Sequence, residues 1–128
     1  LHYYQLSIPA PKPKPDSFDA AAARRGQAIF NGKAQCASCH VPPLYTEPGF
    51  VLHRGAEIGI DDFHASRSPT GAYRTTPLPG LFVREKGGFY HDGRFQGYDA
   101  VIDHYKPVLG FELTPEEQRD LVHFLKSL

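Results

Sequence analysis

The stretch Cys36-Ala37-Ser38-Cys39-His40 decides the fold of this chain. Two cysteines separated by two residues and followed at once by a histidine form the CxxCH pattern of covalent haem attachment. The two thiols can add across the two vinyl groups of a porphyrin, and the intervening residues let one turn of chain span the vinyls. The histidine then lies beneath the iron, where a neutral imidazole serves as axial ligand. The pattern predicts one covalent haem c, attached to Cys36 and Cys39, with His40 as the proximal iron ligand.

Three other uses of this cysteine pair are less well supported. A thioredoxin-like redox pair follows a strand in a βαβ unit, whereas an Ala/Arg-rich segment precedes Cys36. A zinc site needs a second ligand pair, and His53 and His64 lack the close spacing of such pairs. A disulfide between Cys36 and Cys39 would be strained and would close only a short loop. Haem also supplies a large apolar disc around which a small Gly/Pro-rich chain can build its core.

The segments on both sides of the cysteine pair are predicted to be helical. Residues 19–31 contain good helix formers and end at Asn31-Gly32, a favourable stop. Residues 98–105 place apolar and aromatic side chains at helical spacing, and Lys106-Pro107 is predicted to end that helix. Thr114-Pro115-Glu116-Glu117 is a capping box with proline at the first helical position, which predicts the start of a C-terminal helix. No segment convincingly predicts a hairpin, so the fold class is all-α.

The N-terminal segment is predicted to differ from the rest of the chain. Residues 1–8 are aromatic and apolar but too few to form a core. The alternating prolines that follow enforce an extended, stiff stretch. Two interpretations stay open: an arm that lies on the domain, or a linker to an upstream unit of a longer chain. The chain is therefore divided into an extended Pro-rich arm or linker, residues 1–17, and a monohaem domain, residues 18–128.

The composition argues against several classes of protein. The 128 residues include 14 Lys+Arg and 14 Asp+Glu, so the formal net charge is zero. This balance argues against a nucleic-acid-binding arm and against a polybasic membrane anchor. No apolar run approaches the length that a membrane helix requires. With 41% hydrophobic and 22% charged residues the chain is predicted to fold, and its 12 glycines and 12 prolines predict long irregular stretches.

These features resemble those of the class I c-type cytochromes. In that family an N-terminal helix carries a glycine and, four residues later, an aromatic residue, which pack across the C-terminal helix. Gly26 and Phe30 match this pattern, and Leu121 and Phe124 are the expected partners. The resemblance covers about residues 18–128. It implies a class I cytochrome c-like fold in which the N- and C-terminal helices cross and loops enclose the haem.

The second half is similar to one group within that family. Four motifs follow one another: YRTTPL (73–78), GFYHDGRF (88–95), VIDHY (101–105) and LTPEE (113–117). They resemble, in this order, the C-terminal haem domain of bacterial di-haem cytochrome c peroxidases and of the related MauG-type enzymes. Those enzymes need a second haem domain, whereas this chain has a single CxxCH motif.

Further candidate haem-binding residues lie within these motifs. Arg74 and Arg94 lie beside apolar and aromatic residues, and arginine can pair with the haem propionates in a bidentate way. The alternative for each is a solvated surface arginine. The resemblance implies that Pro77 packs near the proximal histidine. Asp61-Asp62 is expected to be a surface loop, since two adjacent carboxylates are weak evidence for calcium.

The sixth iron ligand cannot be a methionine of this chain, because the chain contains none. In the di-haem group the distal ligand lies about one short helix beyond the YHDG-like motif, a position that falls on Tyr105. Tyr105 shares a helix face with apolar neighbours and is expected to point inward. His104 is the second candidate for the sixth ligand. His91 is the third, although it is expected to act as a hydrogen-bonding residue of the distal pocket more than as a ligand. His53 and His64 also stay open as ligands. The alternative is a packed core tyrosine with a histidine on the iron.

The favoured hypothesis is electron transfer by a monohaem domain between a redox donor protein and a redox acceptor protein. The alternative is the haem domain of a di-haem peroxidase- or oxygenase-like enzyme that activates peroxide, and a non-catalytic ligand sensor is a third hypothesis. A six-coordinate iron would favour electron transfer, whereas an acid/base residue at an open distal face would favour an enzyme. Because haem c is attached outside the cytoplasm, the chain is expected to be periplasmic or otherwise exported. An upstream domain of a longer chain is a candidate partner.

Overall fold

Helices carry most of the regular structure in the computed structural model, which describes residues 1–128 apart from the side chain of Leu6. The α-helices are α1 (His2–Ser7), α2 (Ala20–Asn31), α3 (Tyr98–Leu109) and α4 (Pro115–Ser127). Strands β1 (Leu52–His53) and β2 (Tyr73–Arg74) pair antiparallel, with His53 opposite Tyr73. Short 3₁₀ segments occupy Pro15–Ser17, Cys36–Ser38, Gly55–Ile58, Ala65–Arg67 and Leu81–Gly87. The predicted all-α class is confirmed, with this small sheet as an addition.

Helices α2 and α4 cross at Gly26. A Cβ atom added to Gly26 would lie 2.0 Å from the backbone oxygen of Asp120 and 2.9 Å from Cβ of Phe124, so only glycine lets the two helices approach this closely. One turn further along α2, Phe30 is 1% exposed and packs edge-to-face on Phe124, with ring centroids 5.1 Å apart. Leu121 is equally buried. The predicted crossing of the N- and C-terminal helices is confirmed.

Polar contacts fix how the two crossed helices are aligned. The buried carboxylate of Asp120 accepts hydrogen bonds from Nε and Nη2 of Arg25 at 2.7 and 2.6 Å. Lys33 pairs with Glu117 at 2.7 Å. Thr114 and Glu117 form the predicted capping box at the start of α4. Charged side chains therefore hold the two helices together at the crossing point, through Arg25 and Asp120, and just beyond the end of α2, through Lys33 and Glu117.

Helix α3 extends beyond the end that the sequence predicts. It continues through Pro107 to Leu109, although Lys106-Pro107 was expected to end it. Proline removes one backbone hydrogen bond, to the carbonyl of Asp103, and both residues are exposed, so water can satisfy that carbonyl. The helix ends at Gly110, which has a φ of 70° and donates its backbone N–H to the carbonyl of Lys106.

The N-terminal segment combines a short helix with an irregular stretch. Helix α1 forms before the first proline, where the sequence led us to expect extended chain, and residues 9–14 carry no regular structure. Pro11 lies against Gly80, since a Cβ atom added to Gly80 would come within 2.9 Å of the Pro11 ring. Most other side chains of residues 1–17 are exposed.

Deleting residues 1–15 is expected to leave the haem absorption spectrum and the melting temperature nearly unchanged. The deletion keeps Asp19, which caps α2 and whose backbone N–H donates to Nδ1 of His123 at 3.0 Å. Thermal unfolding of the truncated and full chains measures the effect. A fall of several degrees would show that the segment stabilises the fold, because about 1 kcal/mol moves the midpoint by a few degrees at this size.

Candidate haem site

A cavity of about 490 Å³ opens beside the CxxCH segment. Its volume falls within the range of small-molecule and cofactor sites. Side chains from α3, α4, the CxxCH segment and the irregular stretch between them line it. The apolar part of the wall includes Phe30, Leu78, Leu81, Phe89, Ile102 and Phe111. The wall is thus built largely by loops, with α3 and α4 behind them.

Cys36, Cys39 and His40 all line this cavity. They belong to a single tight turn, in which the backbone N–H of His40 donates to the carbonyl of Cys36 at 2.9 Å. Gln35, with a φ of 56°, reverses the chain just before the turn. The two cysteines form no disulfide with each other. Burial raises the pKa of the Cys36 thiol to about 12 and also raises that of the Cys39 thiol. Since the thiolate is the reactive form, the folded cavity disfavours reaction of these cysteines.

The imidazole of His40 is held in one orientation. Its Nδ1 lies 3.0 Å from the backbone carbonyl of Tyr45, and with Nδ1–H donating to that carbonyl, Nε2 keeps a free electron pair. Burial lowers the pKa of His40, which favours the neutral form. A neutral, oriented imidazole with a free nitrogen is the form of histidine that binds a metal.

The three candidate distal ligands have different surroundings. Tyr105 lines the cavity, and burial raises the pKa of its phenol. His104 is not among the described lining residues: its Nε2 lies 2.8 Å from the backbone oxygen of Ile58. His91 lines the cavity with its Nδ1 buried. The geometry favours Tyr105 over its neighbour His104.

Buried polar atoms at this cavity have no protein partner in the described structure. They are the hydroxyls of Tyr90 and Tyr98 and Nδ1 of His91, and all three residues line the cavity. Tyr90 also has a φ of 72°, a strained conformation for a residue other than glycine. Folded proteins rarely bury unpaired polar atoms, and strain of this kind concentrates at functional sites. An apolar wall, two thiols, a neutral imidazole and these unpaired atoms together fit a covalent haem.

The two arginines predicted to contact haem propionates are placed differently. Arg74, on β2, lines the cavity and is exposed. Arg94 is not among the described lining residues, and its guanidinium pairs with the carboxylates of Asp61 and Asp92. Hydrogen bonding to Arg94 lowers the pKa of Asp92 to about 2. Arg94 therefore already has two anionic partners, whereas Arg74 is available at the cavity wall.

Residues around Pro77, together with Arg84, form the cavity wall near Arg74. Pro77 itself is not among the described lining residues, but Thr76 and Leu78 on either side of it are. Arg84 also lines the cavity, and its Nη1 donates to the carbonyl of Pro77 at 2.9 Å. The sequence did not single out Arg84, because the irregular stretch around it shows no periodic pattern that would indicate its orientation.

Asp61 and Asp62 are used within the loops, in line with the expected surface loop. Asp61 accepts from the backbone N–H of Phe63 at 2.9 Å, and Asp62 accepts from that of Gly55 at 3.0 Å. These hydrogen bonds and the ion pair with Arg94 connect distant parts of the irregular stretch.

A second polar network at the cavity was not predicted from the sequence. The carboxylate of Glu47 accepts hydrogen bonds from the hydroxyl of Thr75 and from Nε2 of His53. Thr75 is buried, and its backbone carbonyl accepts from the hydroxyl of Thr46 at 2.6 Å. His53 and Thr75 line the cavity. Pairing of β1 with β2 brings these residues together, and strands of two residues leave no readable alternation in a sequence.

The crossed helices, the CxxCH turn and the apolar cavity define a haem c-binding domain. Residues 23–128 match the family model described as Cytochrome c, and the chain therefore belongs to the cytochrome c family. Members of this family carry covalently bound haem c, and this domain carries one.

The curated relatives include two proteins named methylamine utilization protein MauG. The protein from Methylorubrum extorquens is 38% identical over 130 residues, covering 88% of this chain and 36% of the relative. The protein from Methylophilus methylotrophus is 31% identical over 128 residues, covering 84% of this chain and 36% of the relative. The cytochrome-c peroxidase IdrP1 of Denitromonas iodatirespirans is 26% identical over 152 residues, covering 85% of this chain and 40% of the relative. The resemblance to di-haem peroxidases and MauG-type proteins is confirmed, and this chain spans 36% to 40% of the length of these relatives.

A chain of the hydrazine synthase of Kuenenia stuttgartiensis has the same fold. It superposes with a TM-score of 0.57 at 22% identity, over 93% of this chain and 50% of that chain. Among the described residues, no helix is both long and apolar enough to cross a membrane.

Proposed function

We propose that this domain transfers single electrons through a haem c held by Cys36, Cys39 and His40. The observation that carries the proposal is that two thiols and a neutral, oriented imidazole line one apolar cavity. Haem iron supplies a one-electron couple whose potential depends on axial ligand, burial and hydrogen bonding. The chain contributes the imidazole fixed by Tyr45, an apolar wall that excludes water, and Arg74 as a partner for a haem carboxylate.

Tyr105 is the proposed sixth ligand. It lines the cavity, whereas His104 on the adjacent position of α3 faces the carbonyl of Ile58. Tyrosine is a known axial ligand of haem, and a phenolate stabilises ferric iron, so a low potential is expected.

Changing Tyr105 to Phe is expected to open the site, altering the ferric absorption spectrum and allowing cyanide to bind. Tyr98→Phe is the matched control, because Tyr98 is a buried tyrosine on the same helix. Spectra of the ferric variants with and without cyanide measure the effect. If Tyr105→Phe keeps the wild-type spectrum while His104→Ala or His91→Ala turns the iron high-spin, a histidine is the ligand instead.

Peroxide activation is the second candidate function, and a specific arrangement favours it. His91 keeps Nδ1 buried and unpaired within the described structure, while its Nε2 lies 3.4 Å from Asp61. A histidine oriented by a carboxylate is a common acid/base catalyst. One of the relatives is named as a cytochrome-c peroxidase. The resemblance to di-haem enzymes implies that such a reaction would also require a second haem domain.

Kinetics of the haem-loaded chain distinguish the two functions. Electron transfer predicts rapid reduction and reoxidation by small redox proteins, with peroxide turnover far below the roughly 10 per second typical of enzymes. Turnover near that rate, lost in His91→Ala and kept in the distant His123→Ala, would establish the peroxidase function instead.

The remaining assignments are also proposals. We place the haem domain at residues 18–128 and assign residues 1–17 either to an arm that lies on this domain or to a linker to an upstream domain. Donor and acceptor are taken to be redox proteins, and the zero net charge predicts a modest docking patch without strong electrostatic steering. Export to the periplasm or beyond is inferred from where haem c is attached.

A further inference from the structure

Three titratable side chains, of which two line the haem cavity, are in contact with one another. Nε2 of His53 lies 2.6 Å from a carboxylate oxygen of Glu47, and Nδ1 of the same ring lies 3.7 Å from a carboxylate oxygen of Glu57. The exposed fraction of the side chains falls from 57% at Glu57 to 21% at His53 and 12% at Glu47. We refer to these residues as the Glu57–His53–Glu47 relay.

The relay lies against the site of the haem. His53 and Glu57 line the cavity. The Cys39 sulfur, a carboxylate oxygen of Glu47 and a ring nitrogen of His53 all lie within 4.8 Å of one another. A charge that changes on a haem attached at Cys39 therefore changes the electrostatic potential at His53.

The inner carboxylate holds a fixed negative charge. Burial opposes ionisation of Glu47, but hydrogen bonds from Thr75 and His53 outweigh it and lower the pKa of the carboxyl. Thr75 is itself buried and held by Thr46. With Nε2–H of His53 donating to Glu47, the ring nitrogen that can take a further proton is Nδ1, which faces Glu57.

We propose that His53 binds one proton when the haem at this site gains one electron. The electron comes from the one-electron donor of the proposed function, which is oxidised, and the proton comes from solvent past Glu57 and binds Nδ1. Reduction adds one negative charge to the cavity, which favours the protonated imidazole. By linkage, a protonated His53 favours the reduced site to the same extent. The proposal rests on the electron-transfer function proposed above.

Some of the charged groups around His53 favour protonation of its ring and others oppose it. Glu47 and Glu57, on either side of the ring, favour its protonation. Arg74 on the paired strand lines the same cavity and opposes it, and His40 is buried and neutral. The coupling itself depends on the proximity of His53 to the haem, and histidine ordinarily changes charge within about pH 5 to 8.

The midpoint potential of the haem-loaded chain, measured across about pH 5 to 8, tests the proposal. The potential is expected to fall as pH rises, by up to about 59 mV per unit, the one-electron equivalent of a tenfold change in proton concentration. His53→Asn should abolish most of this slope, because asparagine can still donate to Glu47 but does not titrate. His2→Asn, on the exposed α1, is the control and should keep the slope.

A second variant keeps the test informative if His53→Asn does not fold. Glu57 is exposed, so Glu57→Gln should fold, and loss of its negative charge should move the sloping region to lower pH. Three results would overturn the proposed role of His53 and leave electron transfer intact. The first is a reversible couple whose midpoint potential does not change with pH. The others are a pH dependence that is unchanged in His53→Asn, or one that stays at the same pH in Glu57→Gln. A chain with no reversible couple would overturn both proposals.

Discussion

Replacing both Cys36 and Cys39 with alanine will leave the chain without covalently attached haem. Both cysteines line the cavity next to the oriented imidazole of His40, and no other cysteine exists in the chain to form a thioether. The wild type should give an alkaline pyridine haemochrome spectrum of the two-thioether type and should keep its pigment in acid-acetone. The double variant should release all of its pigment or bind none.

Ser38→Ala provides the matched control for this experiment. Ser38 lies between the two cysteines, and its hydroxyl donates to the carbonyl of Gln35 at 2.7 Å. Its removal should leave both thioether bonds in place. Extractable pigment or bound zinc in the wild type would contradict the assignment of Cys36 and Cys39, as would pigment that cannot be extracted from the double variant.

Loss of the haem should also unfold the chain. Loss of the haem would leave the apolar side chains that line this cavity in contact with water, and burial of apolar surface is the main favourable contribution to folding. A typical domain is stable by only about 5 to 15 kcal/mol, so it tolerates little such exposure. The double variant is therefore expected to lose most of its helical circular dichroism.

Gly26→Ala is expected to have the second-largest effect. The added Cβ atom would meet the backbone oxygen of Asp120 at 2.0 Å, and a backbone atom in the middle of α4 cannot move aside as a side chain can. The helices must separate, which weakens the contact between Phe30 and Phe124 and the ion pair between Arg25 and Asp120. We expect a loss of about 3 kcal/mol or more, at the upper end for overpacked positions.

Thermal unfolding of the haem-loaded variants measures this loss. At a few degrees per kcal/mol, the midpoint should fall by roughly 10 °C. Gly49→Ala is the control, because an added Cβ atom there would meet nothing within 4 Å. Its midpoint should stay close to that of the wild type. If Gly26→Ala melts within a degree of the wild type, the close contact between α2 and α4 does not stabilise the fold as proposed.

Local patterns in the sequence determined the helical frame of this protein. Each of these patterns involves residues within a few positions of one another. They are the capping box at Thr114, the good helix formers after Asp19, and Gly26 with Phe30 on one helix face. The same holds for the CxxCH motif, whose five residues form one turn at the cavity wall. Interactions of this kind are short-range, so the chain sequence alone indicates them.

Only the tertiary structure decided which side chains surround the cavity between these helices. Three features depend on how the irregular stretch folds back on itself. They are the partners of Arg94, the different surroundings of Tyr105 and His104, and the Glu57–His53–Glu47 relay. Glu47 and Thr75 are 28 positions apart, and Arg94 and Asp61 are 33 apart. Irregular chain has no repeating geometry from which a side chain's direction can be read. Those directions are set by contacts between residues far apart in the sequence, which local patterns do not indicate.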